Sequence, residues 1–368
     1  MTRSKWTGLV VVCLMLALVA TLIAGCAGEE ASPTPAPTQS PGQTATATPT
    51  PTPAPKPTYN WIISEPYPEG TPQYEGTVLF TEMCSEASDG RMQFEIYPGN
   101  LLGNYIDQQI SLMRNQQDFA LSWPTSAVAP RSDAAWLGYM YEDWDDFEAA
   151  FAPGGWMNEL ISEIYEEDAN IKLLASIPTS LTAISSTKKF DVMDLNKGVK
   201  LRHAPSPVLA ARFEAQGFNP IVMNMSEVES ALLMGTIDAV GFISGSQLWQ
   251  YRQACPYVYR WNDGSNPMQM MVSLDVWNAM PKEDQDIILD VAEEWNDWAW
   301  PEAKKAEDQL QADLLAAGIE VIELTPEEWE YMASLALPKE IPLIEQTAGK
   351  LVVDAIAENA PMVAKYRP

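Results

Sequence analysis

The alternation of short apolar runs with helical spacing between Asp194 and Phe242 constrains this chain most. Val199 and Leu201 enter as a strand, and Pro205 to Ala215 has helical spacing with Val208, Leu209, Ala211 and Phe213 available for packing. Pro220 to Met223 is again a strand, followed by a helix from Ser226 to Met234 and a strand from Ile237 to Ile243. Strand, helix, strand, helix, strand predicts an α/β fold, and such sheets bind ligands beyond the carboxyl ends of their strands. Arg202 stands at such an end, where a charged group entering a core needs a partner.

The amino-terminal residues read as processing sequence, with an uncleaved membrane anchor or an ordinary signal peptide as the alternatives to a lipoprotein signal. Arg3 and Lys5 precede an apolar run from Leu9 to Ile23, and Ile23-Ala24-Gly25-Cys26 fits a lipoprotein cleavage box with Cys26 as the lipidated residue. The run is short for a membrane span and ends on small residues, which favours a cleaved signal over residues 1–26 and places the rest outside the cytoplasm. Residues 27–58, mostly Pro, Thr, Ala and Ser, predict an extended tether that carries no site. The chain beyond the tether is long enough for two α/β domains.

The chain carries 50 acidic against 22 basic residues, a formal net charge of −28. So acidic a surface argues against nucleic-acid and anionic-lipid partners. It leaves the sign of a small ligand open, because screening over about 8 to 10 Å lets one buried arginine set an opposite local field. Cys84 and Cys255 remain once Cys13 and Cys26 are removed with the signal and the lipid. They either pair, as an extracytoplasmic compartment permits, or are two separate buried thiols, the preferred reading.

Taken in order, Tyr59 to Ser64 and Met92 to Tyr97 read as strands flanking a helix with Val78, Leu79, Phe80 and Met83 on its apolar side. Tyr105 to Asn115 is a helix and Asp118 to Ser122 a strand, at whose end Trp123 is a candidate wall of a site or a wedge between loop and helix. A helix from Gly154 to Asp168 precedes a strand from Ile171 to Ser176. Ile177 to Lys189 and Pro267 to Ser273 read as crossovers between two domains, and a long helix starts at Pro281 and runs past Pro301, which should kink it. Asn224 and Ser226 offer neutral hydrogen bonds just past a strand, although Ser226 is equally a helix N-cap with Glu229 as its partner.

Enzyme chemistry finds little support. His203 is the single histidine and alternates away from Arg202, and no nucleophile elbow, Walker loop, dinucleotide fingerprint or metal-ligand spacing occurs. No cofactor or metal is expected.

The segment Asp194, Leu195, Gly198, Lys200, Arg202, Gly217, Pro220, Ser226, Glu227, Val228, Ala231, Leu232, Gly235 and Asp238 resembles, at nearly fixed spacing, the solute receptors of TRAP (tripartite ATP-independent periplasmic) transporters. Tyr97-Pro98-Gly99-Asn100-Leu101-Leu102-Gly103 and Trp277-Asn278-Ala279-Met280-Pro281 are similar to further patterns of that family. The resemblance implies a two-lobed α/β binding-protein fold with hinge crossovers, a cleft that closes on its ligand and a long helix spanning both domains. Lobe I is then residues 59–178 plus 268–307, and lobe II residues 179–267 plus 308–368. It further implies that Arg202 holds an organic acid, which the receptor hands to membrane subunits, and that Tyr141 falls in an aromatic segment beside the cleft.

Departures from the family refine this. Leu181 or Thr182 stands where some members carry a second arginine, and Gly241 where others have a carboxylate, so a doubly clamped or metal-assisted site is not expected. Phe242 offers an apolar wall instead, and the expected ligand is a monocarboxylate with an aliphatic or aromatic body. The competing reading is a sugar or peptide receptor of an ATP-driven uptake system.

Overall fold

The apolar runs assemble into two separate sheets in a computed structural model that describes residues 55–265 and 267–367. Cys26, the signal and most of the tether lie outside the described residues. The strands are β1 (Tyr59–Ser64), β2 (Met92–Tyr97), β3 (Phe119–Ser122), β4 (Ile171–Ile177), β5 (Ala183–Ser186), β6 (Lys200–His203), β7 (Asn219–Val222), β8 (Ala239–Ile243), β9 (Tyr257–Arg260), β10 (Met268–Ser273) and β11 (Glu320–Glu323). The first sheet has the order β2-β1-β3-β10-β4 and the second β11-β9-β5-β8-β6-β7.

Each sheet is parallel at one side and admits one strand running the other way. β1 pairs in parallel with β2 and β3, whereas β10 lies antiparallel between β3 and β4. In the second sheet β6 is parallel to β7 and β8, and β5 is antiparallel to β8 and β9. The two segments expected to be plain crossovers therefore each contribute a strand. Every residue of β5 and of β10 is buried, as befits strands covered on both faces. The crossover chains proper are bound to each other: Leu181 bridges Ser265, Thr182 N–H donates to Gly264 O at 3.0 Å, and Asn262 N–H donates to Thr182 O at 2.8 Å.

Helices cover the sheets. The helix Lys282–Ala316 runs unbroken through Pro301 for 35 residues, about 52 Å at 1.5 Å per residue. Its first half puts Ile288 and Trp295 into the core of the first sheet with Phe80 and Phe119; its last turns put Leu314 into the core of the second with Val240, Leu248 and Val258. Trp295 Nε1 also donates to Gly76 O at 2.8 Å. A third apolar cluster belongs to neither sheet alone, since the helix Pro326–Ala348 packs Met332, Leu337 and Ile341 with Tyr139, Phe213 and Trp261. Cys84 lies in the first core and Cys255 in that of the second sheet, both as free thiols, so the unpaired reading holds.

Candidate functional site

Two arginines are buried in the second sheet's half of the fold, and they are electrostatic opposites. Arg202, the third residue of β6, is 2% exposed. Its Nε donates to Met223 O at 2.8 Å, just past β7, and among the described residues no carboxylate lies within ion-pairing distance. Burial without a counter-charge pushes its pKa down to about 10, with the phenols of Tyr251 and Tyr105 acting weakly the other way. Arg212, on the helix Pro207–Ala215, is sealed completely but fully paired. Its Nε and Nη2 grip Glu340 at 2.8 and 2.9 Å, Nη1 reaches Asp263 at 3.1 Å, and Nη2 also donates to Trp136 O. Desolvation works against its charge, but Glu340 and Asp263 outweigh it and hold the guanidinium firmly ionised.

Arg212 was not anticipated from the sequence. It lies three and four residues after Leu209 and Val208, on the buried side of its helix, and an arginine at that spacing marks a buried ion pair. Thr182, at the position compared with a second family arginine, serves the same network by donating to Asp263 at 2.6 Å.

The residues after the carboxyl ends of β1 and β3 belong to an aromatic strip, whose Tyr105 lies close enough to Arg202 to feel its charge. Trp123 comes directly after β3 and is half-buried, with Tyr67 at 5.7 Å and Tyr105 at 5.9 Å, both edge-on. Its backbone is pinned by Gln109, whose Nε2 donates to Trp123 O at 2.7 Å, while its indole N–H is buried with no acceptor among the described residues. Trp123 thus combines half-buried ring surface with an indole donor unused among the described residues.

Glu65, directly after β1, went unnoticed in the sequence although an acid ending an apolar strand is a visible signal. It is 0% exposed; Thr77 Oγ1 donates to its Oε2 at 3.1 Å, and Oε1 has no partner among the described residues. Burial pushes this carboxyl up to about 8, against the opposing Thr77 hydrogen bond. The Tyr97-Pro98-Gly99-Asn100 turn clamps the loop: Glu65 N–H donates to Tyr97 O at 3.1 Å, and Gly99 N–H to Tyr67 O at 2.8 Å.

The other expected site residues are placed differently. Phe242 is 5% exposed with a positive φ of 53°, and its ring stacks on Trp136 at 5.4 Å beneath the Arg212 guanidinium. Its ring packs against the ion-pair network, and its positive φ departs from regular strand geometry. Tyr141 is buried against Phe147, Phe151 and Trp156; its hydroxyl faces Ser265 of the crossover without hydrogen-bonding geometry. Asn224 is exposed as the N-cap of the helix Met225–Leu233, its N–H donating to Glu227 at 3.3 Å. The cap therefore sits two residues earlier than the Ser226–Glu229 alternative. His203 is buried, with Nδ1 at 2.7 Å from Ala204 O, and burial lowers its pKa.

A hollow of about 350 Å³ between Tyr59, Trp61, Asp118 and Asp275 opens at the amino end of β1. It lies at the wrong end of the strands for an α/β ligand site and gathers no arginine.

Residues 63–338 match the model of the bacterial extracellular solute-binding proteins, family 7 (DctP). A protein of Haemophilus influenzae is 32% identical over 251 residues, covering 66% of this chain and 74% of that one. The C4-dicarboxylate-binding periplasmic protein DctP of Rhodobacter capsulatus is 24% identical over 297 residues, covering 78% and 86%. A solved TRAP periplasmic solute binding protein from Ochrobactrum anthropi shares the fold with a TM-score of 0.76 at 19% identity, over 84% of this chain and 97% of that one. With the family match running from β1 into the helix Pro326–Ala348, and with the two-lobed architecture found in those receptors, the enzyme and ATP-driven readings fall. This chain belongs to family 7 of the bacterial extracellular solute-binding proteins, the receptors that serve TRAP transporters outside the cytoplasm.

Proposed function

We propose that this receptor captures an organic monocarboxylate by its carboxylate on Arg202 and passes it to the membrane subunits of its TRAP transporter. The carrying observation is a guanidinium buried without a carboxylate partner among the described residues, in the same half of the fold as a second arginine whose every need is met from within. A ligand carboxylate would take two charge-assisted bonds from the planar fork, which a lysine does not reproduce. Each contributes roughly 1.5 to 3 kcal/mol. Trp123 supplies ring surface and an indole donor beside it. A single unpaired buried arginine favours a monocarboxylate over a sugar acid or C4-dicarboxylate.

The lobes are assigned as residues 59–178 plus 268–307 and 179–267 plus 308–368, with the ligand between them. Lipidation of Cys26, with residues 27–58 as a stalk, tethers the receptor to a membrane surface.

Isothermal calorimetry tests the central assignment. Arg202→Ala and Arg202→Lys each lower affinity at least about tenfold with the fold intact; unchanged binding by either variant rejects the role. The acid used comes from mass spectrometry of ligand retained by the purified protein and from a thermal-shift screen. Stabilisation by a hexuronate or a C4-dicarboxylate alone contradicts the monocarboxylate assignment.

A further inference from the structure

A carboxylate site on Arg202 leaves Glu65 unexplained. It is as deeply buried as Arg202, ends a neighbouring layer of the fold at the same carboxyl end of the strands, and keeps one oxygen unused. We propose that Glu65 is the second pole of the ligand site and takes a cationic nitrogen, so that the ligand is a zwitterion with its carboxylate on Arg202. This rests on the Arg202 reading above.

The geometry supports it in three ways. First, Glu65 is held rather than free: its backbone is bonded to Tyr97 and Asn100, and Thr77 occupies only Oε2. Second, among the described residues no lysine, arginine or histidine pairs with it, and the titratable groups that feel its charge are the phenols of Tyr67 and Tyr74. An apolar ligand end would leave Oε1 unpaired, whereas a cation satisfies both its hydrogen-bonding and its charge. Third, Tyr67, Trp123 and Tyr105 form an unbroken edge-to-face strip. Its two ends adjoin the two poles: the Glu65 carboxyl, when ionised, is close enough to act on Tyr67, and the Arg202 guanidinium acts on Tyr105. Aromatic rings between two opposite poles suit an alkylammonium acid through cation–π attraction.

The buried carboxyl, pushed up to about 8, is largely protonated at neutral pH. An arriving ammonium therefore displaces its proton to solvent and pairs with the carboxylate left behind, a release that calorimetry in two buffers of different ionisation enthalpy counts directly.

The test uses three acids of equal heavy-atom count, 5-aminopentanoate, 5-hydroxypentanoate and hexanoate, titrated into the wild type, Glu65→Gln and Arg202→Ala, with circular dichroism checking each fold. The amine is expected to bind the wild type at least about tenfold more tightly than hexanoate, with close to one proton released near pH 7. Glu65→Gln is expected to erase that preference while hexanoate binding stays within about threefold. The proposal is overturned if 5-aminopentanoate does not bind, if the hydroxy acid or hexanoate matches it, if its preference survives Glu65→Gln, or if Glu65→Gln weakens all three alike. Hexanoate binding lost in Arg202→Ala without any amine preference in the wild type removes Glu65 and leaves Arg202 standing. Carboxylate binding that survives Arg202→Ala removes the reading beneath both.

Discussion

Arg202 and Arg212 show how one residue type serves opposite ends in one lobe. Breaking a fully buried pair costs about 3 to 5 kcal/mol because the surviving charge has no water to return to. Glu340→Ala, which takes away the two-pronged partner of Arg212, should therefore lower unfolding free energy by about that amount in urea titration. Arg202→Met should do the reverse in ligand-free protein, raising the melting temperature, since it removes a buried cation that lacks a counter-charge. Glu65 adds a pH signature. Its folded pKa, raised from 4.5 to about 8, means the folded state keeps a proton that the unfolded chain releases. Its contribution is fully present below pH 4.5 and is lost as pH rises through 8, by up to about 1.4 kcal/mol per unit. The stability difference between wild type and Glu65→Gln, followed by urea titration across that window, should shift in favour of the variant as pH rises.

At the scale of elements, the parallel halves of both sheets were legible because their strands alternate with amphipathic helices. β1 and β2 match the predicted spans residue for residue. The antiparallel strands β5 and β10 were not, because a buried strand and an extended crossover share the same short apolar pattern. The candidate site residues divide along the same line. The strand-end placement of Arg202 and Trp123 was visible as unusual side chains after apolar runs, whereas the surroundings of Phe242, Tyr141 and Asn224 depend on ring packing and cap geometry that no spacing encodes. The turn between the helix Pro207–Ala215 and β7 is pinned by Gly217, at φ 85°, where an added Cβ would lie 2.4 Å from the Leu195 carbonyl. Gly217→Ala forces a left-handed backbone, about 1 to 3 kcal/mol, and a clash with main chain that has no flexible end to yield. A clear loss of midpoint in chemical denaturation is expected, and an unchanged midpoint would refute this account.

Over the whole molecule, the formal charge of −28 makes the folded state repel itself. Raising salt from about 10 to 150 mM shortens the screening length to about 8 Å and should raise the melting temperature by several degrees in differential scanning calorimetry. Arg202 and Glu65 are shielded from that surface field by burial, so the sign of the surface does not set the local field at either group. The two chains that pass between the sheets are laced together by the contacts of Leu181, Thr182, Asn262, Gly264 and Ser265. Two cords knotted at mid-length cannot twist independently. Any swing of one half against the other must therefore turn both cords together, as a door hung on adjoining leaves does.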